Sequence, residues 1–321
     1  MTDRIRPRES TSSGFRAAAL LLIIILGFCA AGSDAKAESP SLCGGESVPL
    51  HIDESGSPIA RLGLDGRESD FLIDTGSTLS IIDAYTFRIF QNDQVTLKGF
   101  TLPTISEGSF RVWHWLAHGR SIIGTDILRM RTVEIHYGPS DPYLALSDGP
   151  CSAPTLETAG FARIDEQGYY GTEATHKKPT LPVVFVRIGK VTAPFYLDSG
   201  RADFADGGLL AVNEPYRNLL ERDGVSMELY STSHVSDCRG RASEADVVTT
   251  RSVNLAILSA EGGAELASYD VPKLMVMPEG SMCGKAEELA RPFGLIGSSF
   301  LRKWGTVIID PFSEAVWIKL G

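Results

Sequence analysis

The sequence predicts a mainly β chain made of two similar lobes. A strand–turn–strand pattern recurs at a fixed offset of 124 residues, and a second apolar motif follows each copy. The composition agrees: 321 residues, 43% hydrophobic and 22% charged, with 32 glycines and 17 prolines, suit a globular chain long enough for two lobes. With 30 Lys/Arg against 40 Asp/Glu the net charge is −10. Residues 1–37 hold five of the basic and three of the acidic residues, so the remainder is more acidic still. Such a surface repels phosphate backbones, which excludes nucleic acid as the expected partner.

The chain opens as an address. Arg4, Arg6, Arg8 and Arg16 precede an apolar run from Ala17 to Ala31, and Ala35-Lys36-Ala37 supplies a small-x-small cleavage site. Residues 1–37 are therefore expected to be a signal peptide, with export to the periplasm or medium. The run is shorter than the roughly 20 residues of a membrane span. Left uncleaved, it would instead anchor the protein to the membrane. Phe28, bulky and just before Cys29, argues against lipid attachment.

Four cysteines remain: Cys43, Cys151, Cys238 and Cys283. In an oxidising compartment they allow three pairings. Cys43 and Cys151 bracket about one lobe, while Cys238 and Cys283 lie in the C-terminal part, so these two pairs are favoured. No spacing is a CxxC, which argues against zinc or a thioredoxin-like couple.

The repeat itself sets Leu62-Gly63-Leu64-Asp65-Gly66 and Phe71-Leu72-Ile73-Asp74-Thr75-Gly76 against Val186-Arg187-Ile188-Gly189-Lys190 and Phe195-Tyr196-Leu197-Asp198-Ser199-Gly200. Each copy reads as a β-hairpin running into Asp-Thr/Ser-Gly. Ile122-Ile123-Gly124 with Ile127-Leu128 is then mirrored by Leu295-Ile296-Gly297 with Phe300-Leu301. One Asp-Thr/Ser-Gly alone would be a polar turn after a strand. Two, each trailed by the same second motif, are not chance.

On these residues the sequence resembles the aspartic proteases, both the two-lobed pepsin-like enzymes and the single-lobed, dimeric retropepsins. Phe71–Ser77 and Ser121–Leu128 look most like retropepsin segments, whereas both copies on one chain is the pepsin-like arrangement. The resemblance covers about residues 46–321, and outside the motifs it is unspecific. It implies an all-β, two-lobed acid-protease β-barrel fold with the Asp-Thr/Ser-Gly loops at the lobe interface. The lobes would span residues 38–159 and 183–321, joined by a linker at 160–182 rich in Gly, Thr and charged residues. It further implies an endopeptidase, active as a monomer on peptide or protein substrates, with Asp74 and Asp198 catalytic and no metal or cofactor. The Thr75 and Ser199 hydroxyls would reach across the interface, Ser77 would bond the outer oxygen of Asp74, and Ile123-Gly124 and Ile296-Gly297 would pass beneath the loops.

The chemistry explains the pairing. Amide hydrolysis by water needs one group to accept a proton while another serves the carbonyl oxygen. Two carboxyls that share one proton do both, because like charges so close cannot both ionise. Gly76 and Gly200 permit a close approach of main-chain N–H groups to those carboxyls.

Three departures stand out. Arg201 takes the place that Ser77 holds in the first copy. Its side chain is expected to run outward to Asp203 or Asp206; held inward, it would favour ionised Asp198 and oppose proton sharing. The substrate-covering hairpin is expected between Val95 and Trp115, turning at Ser106–Ser109, with Phe110, Trp113 or Trp115 as its aromatic or as core. Third, Asp198 to Gly297 is 49 residues longer than Asp74 to Gly124. His114 and His118 are four apart in a stretch that does not read as a helix, and make a poor metal pair. The rival readings are a peptide-binding or regulatory protein silenced by Arg201, and a homodimer in which only the first lobe works.

Overall fold

Hairpins built from alternating or continuous β-branched and aromatic residues dominate the computed structural model. It describes residues 41–64, 67–83, 88, 96–97, 100–101, 111–113, 121–165, 181–201, 210–236, 242–251, 253–279, 281 and 290–320. The signal-peptide segment, Cys238, Cys283, His114, His118, Asp203, Asp206 and the Ser106–Ser109 turn lie outside these residues. The elements below all belong to one unit, Ser39–Gly321. The protein is mostly β, with two mixed sheets and few helices among the described residues.

In the first sheet, β1 (Glu46–Ile52), β2 (Pro58–Leu64) and β3 (Arg67–Ile73) form an antiparallel meander. Strand β8 (Ser121–Ile123) runs parallel to β3, with Ile73 opposite Ile123. Beyond it lie β4 (Ile81–Asp83), antiparallel to β8, and β7 (Arg111–Trp113), parallel to β4. A short turn of helix, α1 (Thr125–Leu128), follows β8.

The second sheet repeats this order. Strands β12 (Val183–Ile188) and β13 (Val191–Asp198) form the hairpin, turning at Gly189-Lys190, where Gly189 takes a left-handed φ of 61°. Strand β20 (Gly294–Gly297) runs parallel to β13, with Leu197 opposite Ile296. Next come β14 (Leu210–Asn213), antiparallel to β20, and β19 (Lys273–Met277), parallel to β14. Helix α4 (Ser298–Leu301) follows β20 as α1 follows β8. Five strands thus recur in the same order and with the same senses, two more than the sequence repeat marks.

The extra length of the second half holds α3 (Glu214–Arg222) and a long hairpin, β15 (Met227–Ser236) with β16 (Ala242–Thr250). The pair β17 (Asn254–Leu258) and β18 (Glu265–Asp270) closes the other edge of that sheet. Asn213 caps α3 by accepting the Tyr216 N–H at 3.1 Å.

The end of the chain does not stay in the second sheet. Strands β21 (Thr306–Asp310) and β22 (Ala315–Lys319) join the first one, where β21 pairs with β9 (Thr132–His136), itself paired with β10 (Tyr143–Ser147). Strand β11 (Phe161–Asp165) pairs with β22. Residues 161–165, placed in the linker by their composition, are therefore strand; Phe161 and Ile164 are buried while Arg163 and Asp165 face solvent. One apolar cluster runs through both sheets, from Phe71, Ile73 and Ile123 to Phe195, Leu197 and Ile296, all at most 1% exposed. Burial of such side chains contributes about 1.5–3 kcal/mol each.

Cys43 and Cys151 are disulfide-bonded, with Cα atoms 4.6 Å apart, as favoured from their placement. The bond ties the segment before β1 to the start of α2 (Ala153–Thr158) and packs with Leu156, Phe161 and Trp317. In the window expected to hold the covering hairpin, β5 (Thr96–Leu97) and β6 (Phe100–Thr101) pair antiparallel, and Trp113 ends β7. The expected turn at Ser106–Ser109, with Phe110 and Trp115, lies outside the described residues. Among the described residues no helix is long and apolar enough to cross a membrane.

Candidate active site

Each Asp-Thr/Ser-Gly loop leaves the end of a strand pinned by its parallel neighbour. Asp74 N–H donates to the Ile123 carbonyl at 3.0 Å, and Asp198 stands opposite Gly297 in the β13–β20 register. Gly124 is required where it is: a Cβ there would come within 2.7 Å of the Leu79 main chain. Ser80 braces the first loop, its hydroxyl donating to Asp126 Oδ1 at 2.6 Å and accepting the Gly124 N–H at 2.9 Å.

The two loops interlock. Thr75 Oγ1 donates to the Leu197 carbonyl at 2.8 Å and accepts the Ser199 N–H at 3.0 Å. Ser199 Oγ donates to the Ile73 carbonyl at 2.7 Å and accepts the Thr75 N–H at 3.0 Å. Both residues are buried, so every one of these polar groups needs its partner. Only a hydroxyl can donate and accept at once in so small a space.

This grip brings Asp74 and Asp198 side by side, their side chains hydrogen-bonded to each other. Gly76 N–H donates to Asp74 Oδ1 at 2.8 Å. Burial, then the charge of Asp198, pushes the Asp74 carboxyl well above the usual carboxylate range. Burial also raises Asp198, while the Arg201 guanidinium and the hydrogen bond from Asp74 pull it back. Both residues nonetheless keep a partly exposed face. Two adjacent carboxyls, both with raised affinity for a proton, thus stand at a surface that water can reach.

The neighbours differ in part from expectation. The Ser77 hydroxyl donates to the Leu79 carbonyl at 2.7 Å, so Ser77 supports the Asp74 carboxyl through its main-chain N–H and not through the hydroxyl. The nearby free carbonyl wins because the Asp74 carboxyl is already served by main-chain donors. Arg201 Nη2 lies 3.0 Å from Met275 Sδ and 3.3 Å from Met277 Sδ, both on β19, while the expected partners Asp203 and Asp206 lie outside the described residues. Its carbonyl accepts the Ser298 N–H and Oγ at 3.3 and 2.8 Å. In the first loop the Ser77 carbonyl accepts the Thr125 N–H at 2.8 Å, which completes the symmetry of the backbone.

Sequence reasoning did not find Tyr137, just beyond β9. It is 4% exposed, its hydroxyl makes no hydrogen bond among the described residues, and burial and the Asp198 charge push its ionisation up. Nothing in its apolar surroundings distinguishes it from core. Met275 and Met277 were equally silent. Among the described residues no group of three or more His, Cys, Asp or Glu side chains is arranged to hold a metal ion.

No family model matches the chain, and no curated protein does. Among solved structures it is similar to a retropepsin-like aspartic protease from Rickettsia conorii, at 14% identity over 50% of this chain and 90% of that one, with a TM-score of 0.27. A likeness that low carries no argument. The five-strand repeat and the interlocked loops are what define the fold here.

Proposed function

We propose that the protein is an exported aspartic endopeptidase that hydrolyses peptide bonds with a water held between Asp74 and Asp198. The observation that supports this most directly is the paired carboxyls, raised by burial and held together by the Thr75–Ser199 grip. In this reading the ionised carboxylate takes a proton from water as its oxygen adds to the carbonyl carbon. The protonated carboxyl serves the carbonyl oxygen. Collapse of the tetrahedral adduct breaks the C–N bond, and the departing nitrogen takes a proton from the pair. An extended peptide crosses between the two lobes within one monomer. Export follows from the leader, and the Cys43–Cys151 disulfide supports an oxidising compartment.

The test is cleavage of an unfolded protein by the purified chain from pH 3 to 7, beside Asp74→Asn and Asp198→Asn. Turnover abolished in both variants, with the fold kept, is expected. Turnover surviving in Asp198→Asn would favour a homodimer using the first lobe alone. Peptide binding without turnover at any pH would replace the enzyme with a regulatory binder.

A further inference from the structure

We infer that Ser41–Gly45 is a redox-controlled strap. Buried carboxyls on two neighbouring strands, Glu134 on β9 and Asp310 on β21, position Cys43 and Cys151 for each other, so that disulfide formation locks the outer strands of the first sheet and reduction releases them. The device lies in that sheet and works whether or not the acid pair cleaves peptides.

Each half of the disulfide belongs to a segment that one of these acids holds. Glu134 is fully buried; its Oε2 accepts the Ser41 hydroxyl at 2.8 Å and the Leu42 N–H at 3.0 Å, while Oε1 accepts the Tyr143 hydroxyl at 2.6 Å. Ser41 Oγ in turn accepts the N–H groups of Cys43 at 3.2 Å and Gly45 at 3.3 Å, so the strap folds around the same side chain that grips Glu134. Gly44 turns it with a left-handed φ of 75°, and a Cβ on Gly45 would overlap the Leu146 main chain on β10. On the other side the buried Asp310 accepts the Cys151 N–H at 3.0 Å. Glu134 stands opposite Ile308 in the β9–β21 register, on the strand that Asp310 ends.

The two grips are coupled. Two cysteines 108 residues apart meet rarely at the ends of a free loop. With Ser41 and Leu42 docked on Glu134 and Cys151 docked on Asp310, that loop is already closed, and the effective concentration of one thiol at the other rises. The linkage is reciprocal, so the disulfide also keeps the strap on Glu134. There Leu42 and Cys43 pack with Cys151 against Leu156 of α2, Phe161 of β11, Ile308 of β21 and Trp317 of β22. A strap that leaves strips Glu134 Oε2 of both its donors and uncovers this cluster. The loss of partners by a buried carboxyl falls on β9 and on the strands paired with it, β10 and β21. Closure passes two electrons and two protons from the Cys43 and Cys151 thiols to an oxidised dithiol partner, whose own disulfide opens as the new S–S bond forms; a reduced dithiol reverses the exchange.

The experiment equilibrates the purified chain with mixtures of reduced and oxidised dithiothreitol, traps free thiols with iodoacetamide, and reads Cys43 and Cys151 from their own peptides by mass spectrometry. In Ser41→Ala and in Glu134→Gln the equilibrium should move about tenfold toward the dithiol, the change that losing roughly one buried hydrogen bond gives. Leu220→Ala is the control: it opens a cavity under helix α3, away from the strap, and should leave the Cys43–Cys151 equilibrium in place. Hydrogen exchange of the wild-type chain, oxidised and reduced, needs no variant to fold. Reduction should speed exchange about tenfold or more in β9, β21 and β22 and leave β12 and β13 as they were. A wild-type equilibrium in folded Ser41→Ala, or an equal shift in Leu220→Ala, overturns the inference. So does exchange that on reduction stays unchanged in β9, β21 and β22, or rises alike in both sheets.

Discussion

Gly76 sits so close to the Asp198 carboxyl that a Cβ on it would overlap the carboxyl carbon, and Gly200 stands in the same relation to Asp74. Each loop's glycine is thus the wall of the other loop's acid. Gly76→Ala or Gly200→Ala should push the carboxyls apart, cost about 1–3 kcal/mol as overpacking does, and abolish cleavage. Denaturant unfolding beside a protease assay checks both, and an active, fully stable Gly76→Ala would refute the packing.

Thr75→Ala and Ser199→Ala each strip one hydroxyl from the grip and leave a main-chain N–H and a carbonyl of the opposite loop unpaired. Each should cost about 1–3 kcal/mol. Because each hydroxyl holds the other residue's main-chain N–H, the double variant should lose less than the sum. Additive losses in a double-mutant cycle would show that the four hydrogen bonds are not one unit.

Raised carboxyls also make stability depend on pH. Asp74 binds its proton more tightly folded than unfolded, so its contribution is whole below the unfolded value, about 3.9, and is lost as pH rises toward the folded one. Asp74→Asn should therefore be more stable than wild type at pH 6–7, with the difference vanishing below about pH 4. Thermal unfolding of both proteins across that range decides it. A difference that grows as the pH falls would have the wrong sign.

Reduction of Cys43–Cys151 opens a loop of 108 residues. A chain-entropy estimate for a loop of about that length is about 4.7 kcal/mol, so the Cys43→Ser/Cys151→Ser double variant should unfold at distinctly lower denaturant. An unchanged midpoint would mean that the cluster around Leu156, Phe161 and Trp317 holds the segment unaided.

The paired carboxyls were readable because Phe71–Gly76 and Phe195–Gly200 carry both their strand pattern and their acid in six contiguous residues. Strand β11 was not, since only two of its five residues are buried and the rest look like a polar connector. Nor was the destination of β21, whose five buried residues mark a core strand without saying which sheet it enters. Arg201 was singled out by its charge, but its direction depends on methionines about 75 positions away, in a strand that neighbours it only through the fold.

The crossing of β21 and β22 into the first sheet bears on how the molecule can be made. Strand β9 has one neighbour in β10 and waits for β21 as the other, while β11 pairs only with β22 among the described strands. A chain delivered from its N-terminus leaves these edges of the first sheet open until its last fifteen or so residues arrive. The first sheet is thus the last to close, whereas the second has all its described strands once β20 has been made.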